Sequence, residues 1–426
     1  MKSDVILGSD APSGAAIDGK RIDTENMSVD GKKPDTENRA ANMPENGVDG
    51  SVLLVTPWYR PTVGGVVEVS DKLRRLLGEA GVETHLLVCD GRIQSHRIER
   101  HASLSKVWIL QVPSSAFYRF TPRSFAATVI RGVATTVRVT RFLLRHRIRT
   151  VILIYVTECG WPFLLLQRLL KLRLIVSLHG NDVIKYDECT RLSRWFLRRM
   201  LPGADRIIVC ADHLAGELKK IVPQAELPVR LIPNCVNLDY FTLPPEGFIK
   251  PKQPTLVHVS NFAPKKRTTD IIEAFANPAV PQEARLLMVG DGPGLKAATE
   301  RARALKVDHR IEFAGAQSDV RPFLWQADIF ILASDSEGDP LVLLEAMACG
   351  LPWVSTAWGV AASLPKGECG LVVPARWPEK LAAAIAESLS DRDRLLDMGR
   401  RSRQRVEAEY GEQKYLERHL QVIREI

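Results

Sequence analysis

Short, almost uninterrupted apolar runs recur along this chain, separated by stretches in which apolar residues return every three or four positions. Runs at 51–56, 84–89, 151–155, 174–178 and 205–211 come first, and runs at 255–260, 285–290, 311–315, 329–333, 353–356 and 370–373 follow. An apolar run of that length without polar alternation reads as a strand buried on both faces of a parallel sheet. The periodic stretches predict helices over 66–80, 125–146 and 269–276, a short one after Pro340 and longer ones from Glu379. Strands alternating with helices imply right-handed crossovers and an α/β fold. A chain of 426 residues is too long for one ordinary core. The expected division is a first domain over 50–245, a second over 246–410, and a terminal helix over 411–426 that crosses back to the first. The Pro- and Gly-rich stretch 244–251 is the expected linker.

Composition changes this picture at the front of the chain. Residues 1–49 are poor in aromatics and rich in Gly, Asp, Asn, Ser and Lys, so they cannot bury enough apolar surface to offset their ordering entropy and are expected to be a disordered tail. Seven cysteines are scattered singly with no Cys-x-x-Cys pair, which favours reduced thiols over a disulfide frame or a cysteine zinc site. No apolar run approaches the ~20 residues of a membrane span. Acidic residues enter at Asp4 with no apolar segment after them, which is unlike a signal peptide. A cytoplasmic protein is the expectation.

Charge is unevenly distributed. Residues 51–245 hold 28 Lys and Arg against 15 Asp and Glu, a surplus of 13, whereas the whole chain carries only +8. No acidic residue occurs between His101 and Thr157. Within that stretch Arg131, Arg138 and Arg145 recur every seven residues on the expected helix, beside Arg141, Arg147 and Arg149. A second basic and aromatic cluster lies at Arg191, Arg194, Trp195, Arg198 and Arg199. Such faces suit an anionic membrane surface or anionic polymer. The alternative is a solvated face that keeps the protein soluble. Nucleic acid is not indicated, because no recognition motif accompanies the charge.

The candidate chemistry sits where expected strands end, since ligands of open α/β sheets bind outside the carboxyl ends of their strands. Glu337-Gly-Asp-Pro-Leu-Val-Leu-Leu-Glu345 follows the 329–333 run and places two carboxylates eight residues apart, one in a Gly/Pro loop and one two turns into a helix. The loop and first helical turn offer the backbone amides of Gly338, Asp339 and Leu341 to an anion, while Pro340, which has no N–H, shapes the turn. Carboxylates beside such a seat suit sugar hydroxyls, which donate to them. Gly64 and Gly65 open a helix after the first run, and His179, Gly180 and Asp182 follow the 174–178 run. The loop Asn261-Phe-Ala-Pro-Lys-Lys266-Arg267 follows 255–260. The pair Asp391 and Asp393 opens a polar helix far from any strand end and reads as an N-cap cluster.

The string from Glu337 to Pro352, with its Ala-Met-Ala-Cys-Gly-Leu-Pro tail, resembles the E-x7-E motif of retaining glycosyltransferases of the GT-B fold. Resemblance extends over roughly 51–420 through His179-Gly-Asn-Asp182 and Leu231-Ile-Pro-Asn234-Cys-Val-Asn237. Cys235 stands where the family has Gly, and Asn261 where it usually has Arg; Asn261 and Phe262 look closer to the variant found in N-acetylglucosaminyl-malate synthases. The resemblance implies two Rossmann-like domains facing across a cleft and a hexosyltransferase that uses a UDP- or GDP-sugar as co-substrate, with no cofactor and no metal. It implies that Glu337 meets the donor sugar, Glu345 the ribose, and Lys266 with Lys265 or Arg267 the diphosphate. His179 and the Gly64-Gly65 loop would close from the first domain. Turns at Gly290, Gly292 and Gly315 would wall the nucleobase, with Asp182 and Asn261 counted among the binding residues. The acceptor is left open between a polyprenyl-diphosphate-linked glycan at the membrane surface and a small soluble molecule. A non-catalytic sugar-nucleotide-binding protein of the same fold is the remaining alternative.

Overall fold

A computed structural model describes residues 47–60, 64–89, 97–100, 108–111, 125–156 and 160–426. The expected tail therefore lies almost wholly outside the described residues, as do positions 61–63 just before the Gly64-Gly65 loop.

The first sheet has eight strands: β1 (Ser51–Thr56), β2 (Thr84–Val88), β3 (Arg97–Arg100), β4 (Trp108–Gln111), β5 (Ile148–Ile154), β6 (Arg173–Leu178), β7 (Arg206–Val209) and β8 (Val229–Leu231). Their order is β3-β4-β2-β1-β5-β6-β7-β8, parallel throughout except for the edge pair β3 and β4. The second sheet holds β9 (Thr255–Val259), β10 (Arg285–Val289), β11 (Ile311–Gly315), β12 (Ile329–Leu332), β13 (Trp353–Thr356) and β14 (Gly370–Val373) in the order β11-β10-β9-β12-β13-β14, all parallel. Apart from that edge pair both are parallel α/β sheets, as the resemblance implies. Every residue of β1, β2, β9 and β12 is buried, which is why these strands lack polar alternation. β3 and β8 carry no such signal, while β4 holds the short apolar run Trp-Ile-Leu, which is absent from the expected strands; each lies at or beside a sheet edge, and β8 is half-exposed to exposed.

Strand order places the crevices. In the second sheet the chain runs outward from β9 to β10 on one side and returns on the other side as β12, so the loops leaving β9 and β12 diverge at a switch point. In the first sheet β1 occupies the same position between β2 and β5.

The two units share more than a linker. Val236 and Gly411 form a β-bridge, and the Val236 amide donates to the Tyr410 carbonyl at 2.9 Å, so the two crossing segments run side by side. Val236 already packs in the core of the second unit, and Trp325 Nε1 donates to the Thr242 carbonyl at 2.8 Å. The crossing thus lies ahead of 244–251, whose Lys250 is tied to the Ala327 carbonyl at 2.6 Å. The Glu412–Arg424 helix packs Tyr415, Leu416, Leu420 and Ile423 into the first unit's core beside Leu54, Leu73 and Leu77. Among the described residues no helix is long and apolar enough to cross a membrane.

Candidate active site

The loops after β9 and β12 meet because their strands are neighbours. The first makes one 3-10 turn, Pro264–Lys266, and the second runs from Ala333 to the Leu341–Ala348 helix. The Asp335 amide donates to the Lys265 carbonyl at 2.8 Å, bringing the loops side by side. Lys266 Nζ then reaches Glu337 Oε1 at 2.5 Å, and Lys265 Nζ lies 3.6 Å from Oε2. Glu337 is buried, which alone would raise its carboxyl; Lys266 and Lys265 outweigh burial and hold it below its ordinary value. Beneath them His258 is fully buried between the Ile331 carbonyl and Ser260 Oγ, and burial pushes it down to about 4, so it is neutral.

Gly290 and Gly292 serve this loop by close approach. A side-chain carbon on Gly290 would lie 1.8 Å from the Ser260 carbonyl oxygen, and one on Gly292 2.0 Å from that of Asn261. Both have positive φ, which a side chain would strain. Gly315 accepts from the Gly290 amide at 2.8 Å and has open space where its side chain would start.

Of the two cations expected to assist Lys266, Arg267 is engaged within its own element. Its guanidinium grips Asp270 at 3.0 and 2.8 Å, one turn into its own helix. Asp335 is in turn held by Arg376 at 2.8 and 2.9 Å. The cations left to the loop are Lys265 and Lys266. Asn261 is exposed, and its side-chain oxygen accepts only a long bond, 3.4 Å, from the Ala263 amide.

From the first domain, His179 follows β6. Asp182 accepts from the amides of His179, at 3.1 Å, and Gly180, at 2.8 Å, and so shapes the turn that presents the histidine. Burial pushes Asp182 up to about 6 against the lowering effect of those amides. Its carboxylate serves the backbone of this turn. His179 Nε2 lies 3.0 Å from Ser177 Oγ, and its buried Nδ1 has no partner among the described residues. Burial, then His419, pushes its ring down to about 4, leaving it neutral.

The two sides touch. The Glu337 carbonyl is 3.0 Å from His213 Nε2, on the Asp212–Ile221 helix of the first domain. Asp339 accepts from the Asn234 amide at 2.8 Å and the Val360 amide at 3.0 Å, while Asn234 Nδ2 donates to the Asp339 carbonyl at 2.7 Å. Asp339, pushed up to about 7 by burial, is therefore a fastener between the crossing segment and the second domain. Pro340 caps the Leu341–Ala348 helix, and Leu341 Cδ1 stands 4.0 Å from where a Gly65 side chain would begin. Gly64 is extended, with open space around it. Glu345, half-buried, faces Lys72 and Glu68 of the Gly65–Glu79 helix, and burial pushes it up to about 7. Asp391 caps the Arg392–Glu409 helix by accepting from the Arg394 amide at 3.0 Å.

Glu337, Gly338, Leu341, Glu345 and Lys266 thus meet His179 and Gly65 where the strand ends of the two sheets oppose. Asn234 joins them from the Leu231–Asn237 string that resembles the family, and His213 and His258 join without any signal in the sequence beyond their places after or within strands.

A model of glycosyltransferase family 4 matches residues 63–240, and one of the glycosyl transferases group 1 matches residues 253–391. The chain belongs to these group 1 and family 4 glycosyltransferases. Among curated relatives, it is 25% identical to N-acetyl-alpha-D-glucosaminyl L-malate synthase of Bacillus anthracis, over 84% of this chain and 93% of that one. It is 26% identical to a GDP-mannose-dependent alpha-(1-6)-phosphatidylinositol monomannoside mannosyltransferase of Mycobacterium tuberculosis, over 78% of this chain and 91% of the relative. Its fold is similar to that of HepE of Anabaena in complex with UDP, with a TM-score of 0.70 at 14% identity, over 88% of this glycosyltransferase and 100% of that chain. The activity is glycosyl transfer in bacterial glycan biosynthesis.

Proposed function

We propose that this glycosyltransferase moves a sugar from a nucleoside-diphosphate donor, UDP- or GDP-linked, to the hydroxyl of a lipid-linked glycan, with retention of anomeric configuration and without a metal. The observation that carries this reading is the Lys266–Glu337 pair at the β9/β12 crevice, with Lys265 beside it. Two lysines meet the charge of a departing diphosphate, and Glu337, kept ionised, accepts from sugar hydroxyls and faces the positive charge that develops on the sugar ring. Neutral His179 brings a free ring nitrogen to the same place. Glu345 receives the ribose hydroxyls. In the step itself the bond from the anomeric carbon to the diphosphate oxygen breaks, the acceptor oxygen takes its place on the same face, and the acceptor proton passes to the departing phosphate. The relative from Mycobacterium is named for GDP-mannose, and the HepE structure holds UDP, which supports the donor class.

A membrane-borne acceptor is supported by one face of the first sheet. The helices Phe125–Arg145, Trp161–Leu170 and Arg191–Gly203 share a core through Val139, Phe142, Phe163, Leu166, Phe196 and Leu197. Together they carry nine arginines and no Asp or Glu, with Leu144, Leu169 and Trp195 each more than 60% exposed. Near an anionic bilayer each such cation contributes about 1 kcal/mol. The malate synthase relative, named for a small acceptor, favours the second reading.

Incubation with a panel of radiolabelled nucleotide sugars and membrane extract is the test. The reading requires label from one donor in a lipid-extractable product whose new linkage keeps the donor's anomeric configuration by NMR. Label in a water-soluble product, together with failure to float with anionic liposomes at low salt, selects the soluble acceptor. Nucleotide binding with neither transfer nor donor hydrolysis selects a non-catalytic protein.

A further inference from the structure

Glu83, His85 and His146 converge at the amino ends of the strands, on the opposite side of the first sheet from the cleft. Glu83 and His85 are two residues apart in the extended chain entering β2, so their side chains leave on the same side. His146 stands in the turn between the Phe125–Arg145 helix and β5. One ligand-capable atom of each lies within 4.8 Å of the other two. His85 Nε2 is 3.7 Å from Glu83 Oε1, and the two imidazole rings are 4.7 Å apart between centroids.

His85 is fully buried, and neither of its ring nitrogens has a hydrogen-bond partner among the described residues. Buried polar atoms are ordinarily partnered, so two orphaned nitrogens on one ring need a reason. Aromatic packing supplies only part of one. Phe142 lies edge-on to His85 at 5.4 Å and beside His146 at 4.4 Å, contacts that place the rings but leave the nitrogens unbonded. Glu83 is meanwhile oriented by Ser51 Oγ, which donates to Oε2 at 2.9 Å and leaves Oε1 toward His85. Outer hydrogen bonds of this kind are what orient carboxylate ligands of metals. Glu83 and His146 also line a surface cavity of about 350 Å³ together with Ser51, Arg145 and Arg147.

We infer that Glu83, His85 and His146 bind a single zinc ion, with a fourth position opening on that cavity. Two imidazoles and one carboxylate suit zinc, whereas magnesium and calcium take oxygen ligands. Ligand atoms around a tetrahedral zinc lie about 3.4 Å apart, so the His85–Glu83 spacing is near that distance, and a small side-chain rotation brings His146 in. The ion ties the end of the arginine-bearing helix to the sheet. It is remote from the transfer cleft, so it is compatible with metal-free glycosyl transfer. No cysteine takes part, and the ligands are far apart in the sequence, which hid the site from cysteine spacing.

Full-length protein stripped with a chelator and titrated with Zn²⁺ alone tests this. Competition against a chromophoric chelator is expected to show one site per chain. X-ray absorption at the zinc edge is expected to show nitrogen and oxygen neighbours without sulfur. Glu83→Gln, at a partly exposed side chain, and His146→Asn, at a half-buried one, are each expected to weaken the site by about 100-fold or more while far-UV circular dichroism is unchanged. His309→Asn, an exposed histidine in the second domain, is expected to leave it intact. Absence of a stoichiometric site, sulfur in the zinc shell, or wild-type zinc affinity in both ligand variants overturns the inference.

Discussion

The carbonyl oxygen of His179 lies 2.1 Å from where a side-chain carbon on Gly338 would be placed. Gly180 meets the same loop, with its own side-chain position 2.9 Å from the Gly338 amide nitrogen. Bare backbone from the two domains therefore meets beside the donor loop, and there is no room for a methyl group without parting the domains.

That contact predicts the effect of Gly338→Ala. The backbone at 338 does not adopt the left-handed conformation, so the substitution is opposed by the His179 carbonyl and not by local strain. The loop carrying Glu337 is expected to back away from His179, lowering kcat/KM at least 10-fold, a barrier increase of about 1.4 kcal/mol. Steady-state kinetics of the alanine variant check this, and wild-type kcat/KM would show that the contact plays no part in turnover.

Lys266→Ala and Glu337→Ala are each expected to reduce transfer by about 10²-fold or more, on the order of 3 kcal/mol of transition-state stabilisation. The lysine variant carries a second signature. In the wild type Glu337 is held below the ordinary carboxylate value because its lysines outweigh burial. Without Lys266 the raising effect of burial gains ground, so the carboxylate takes up a proton at a higher pH. The acid limb of the residual activity is then expected to move toward neutral pH. An unmoved limb in the pH profile of Lys266→Ala would separate Glu337 from the reaction.

Glu345 gives a binding test. Burial pushes its carboxyl up to about 7, with Lys72 opposing and Glu68 assisting. Ribose hydroxyls are accepted by the ionised form, so nucleoside diphosphate affinity is expected to rise as pH increases through about 7 and to fall on the acid side. Glu345→Gln is expected to bind more weakly at alkaline pH and to flatten this dependence. Calorimetry with UDP and GDP across pH 6–8 measures it, after subtraction of the nucleotide's own phosphate titration near pH 6.

Much of this architecture was legible because parallel strands buried on both faces leave unbroken apolar runs. β1, β2, β9 and β12 did so, and the loops after β9 and β12 were read as candidate site loops from their places at strand ends together with the family resemblance of their residues. β3, with the residues Arg-Ile-Glu-Arg, could not be read as a strand, since an edge strand need not be apolar. Within the site, Glu337 stood out by its place at a strand's carboxyl end and by the resemblance of its string to the E-x7-E motif, and Lys266 by the resemblance of its loop to the family's basic loop. The roles of Asp182, Asp339 and Arg267 were hidden for a different reason. Each is a charged residue next to a site residue, and only three-dimensional placement shows that the charge is engaged by neighbouring amides or by Asp270. The partners of His213 and Asn234 lie more than 100 residues away in the chain, so no local pattern encodes them, although Asn234 itself stands in a string that resembles the family.

Asp339 separates a structural role from a ligand role most cleanly. Its carboxylate satisfies the Asn234 amide from the crossing segment and the Val360 amide from the second domain. Truncation to alanine leaves both buried donors without a partner, at a cost of about 1–3 kcal/mol each. Asp339→Ala is therefore expected to lower Tm by several degrees, read by calorimetry. Asparagine retains one carbonyl acceptor but turns a donor toward the other amide, so Asp339→Asn is expected to fall between wild type and alanine. Nucleotide affinity of folded Asp339→Asn is expected to stay within a few-fold of wild type, because the carboxylate is turned onto backbone amides. A large loss of UDP or GDP binding with Tm unchanged would return Asp339 to the donor site.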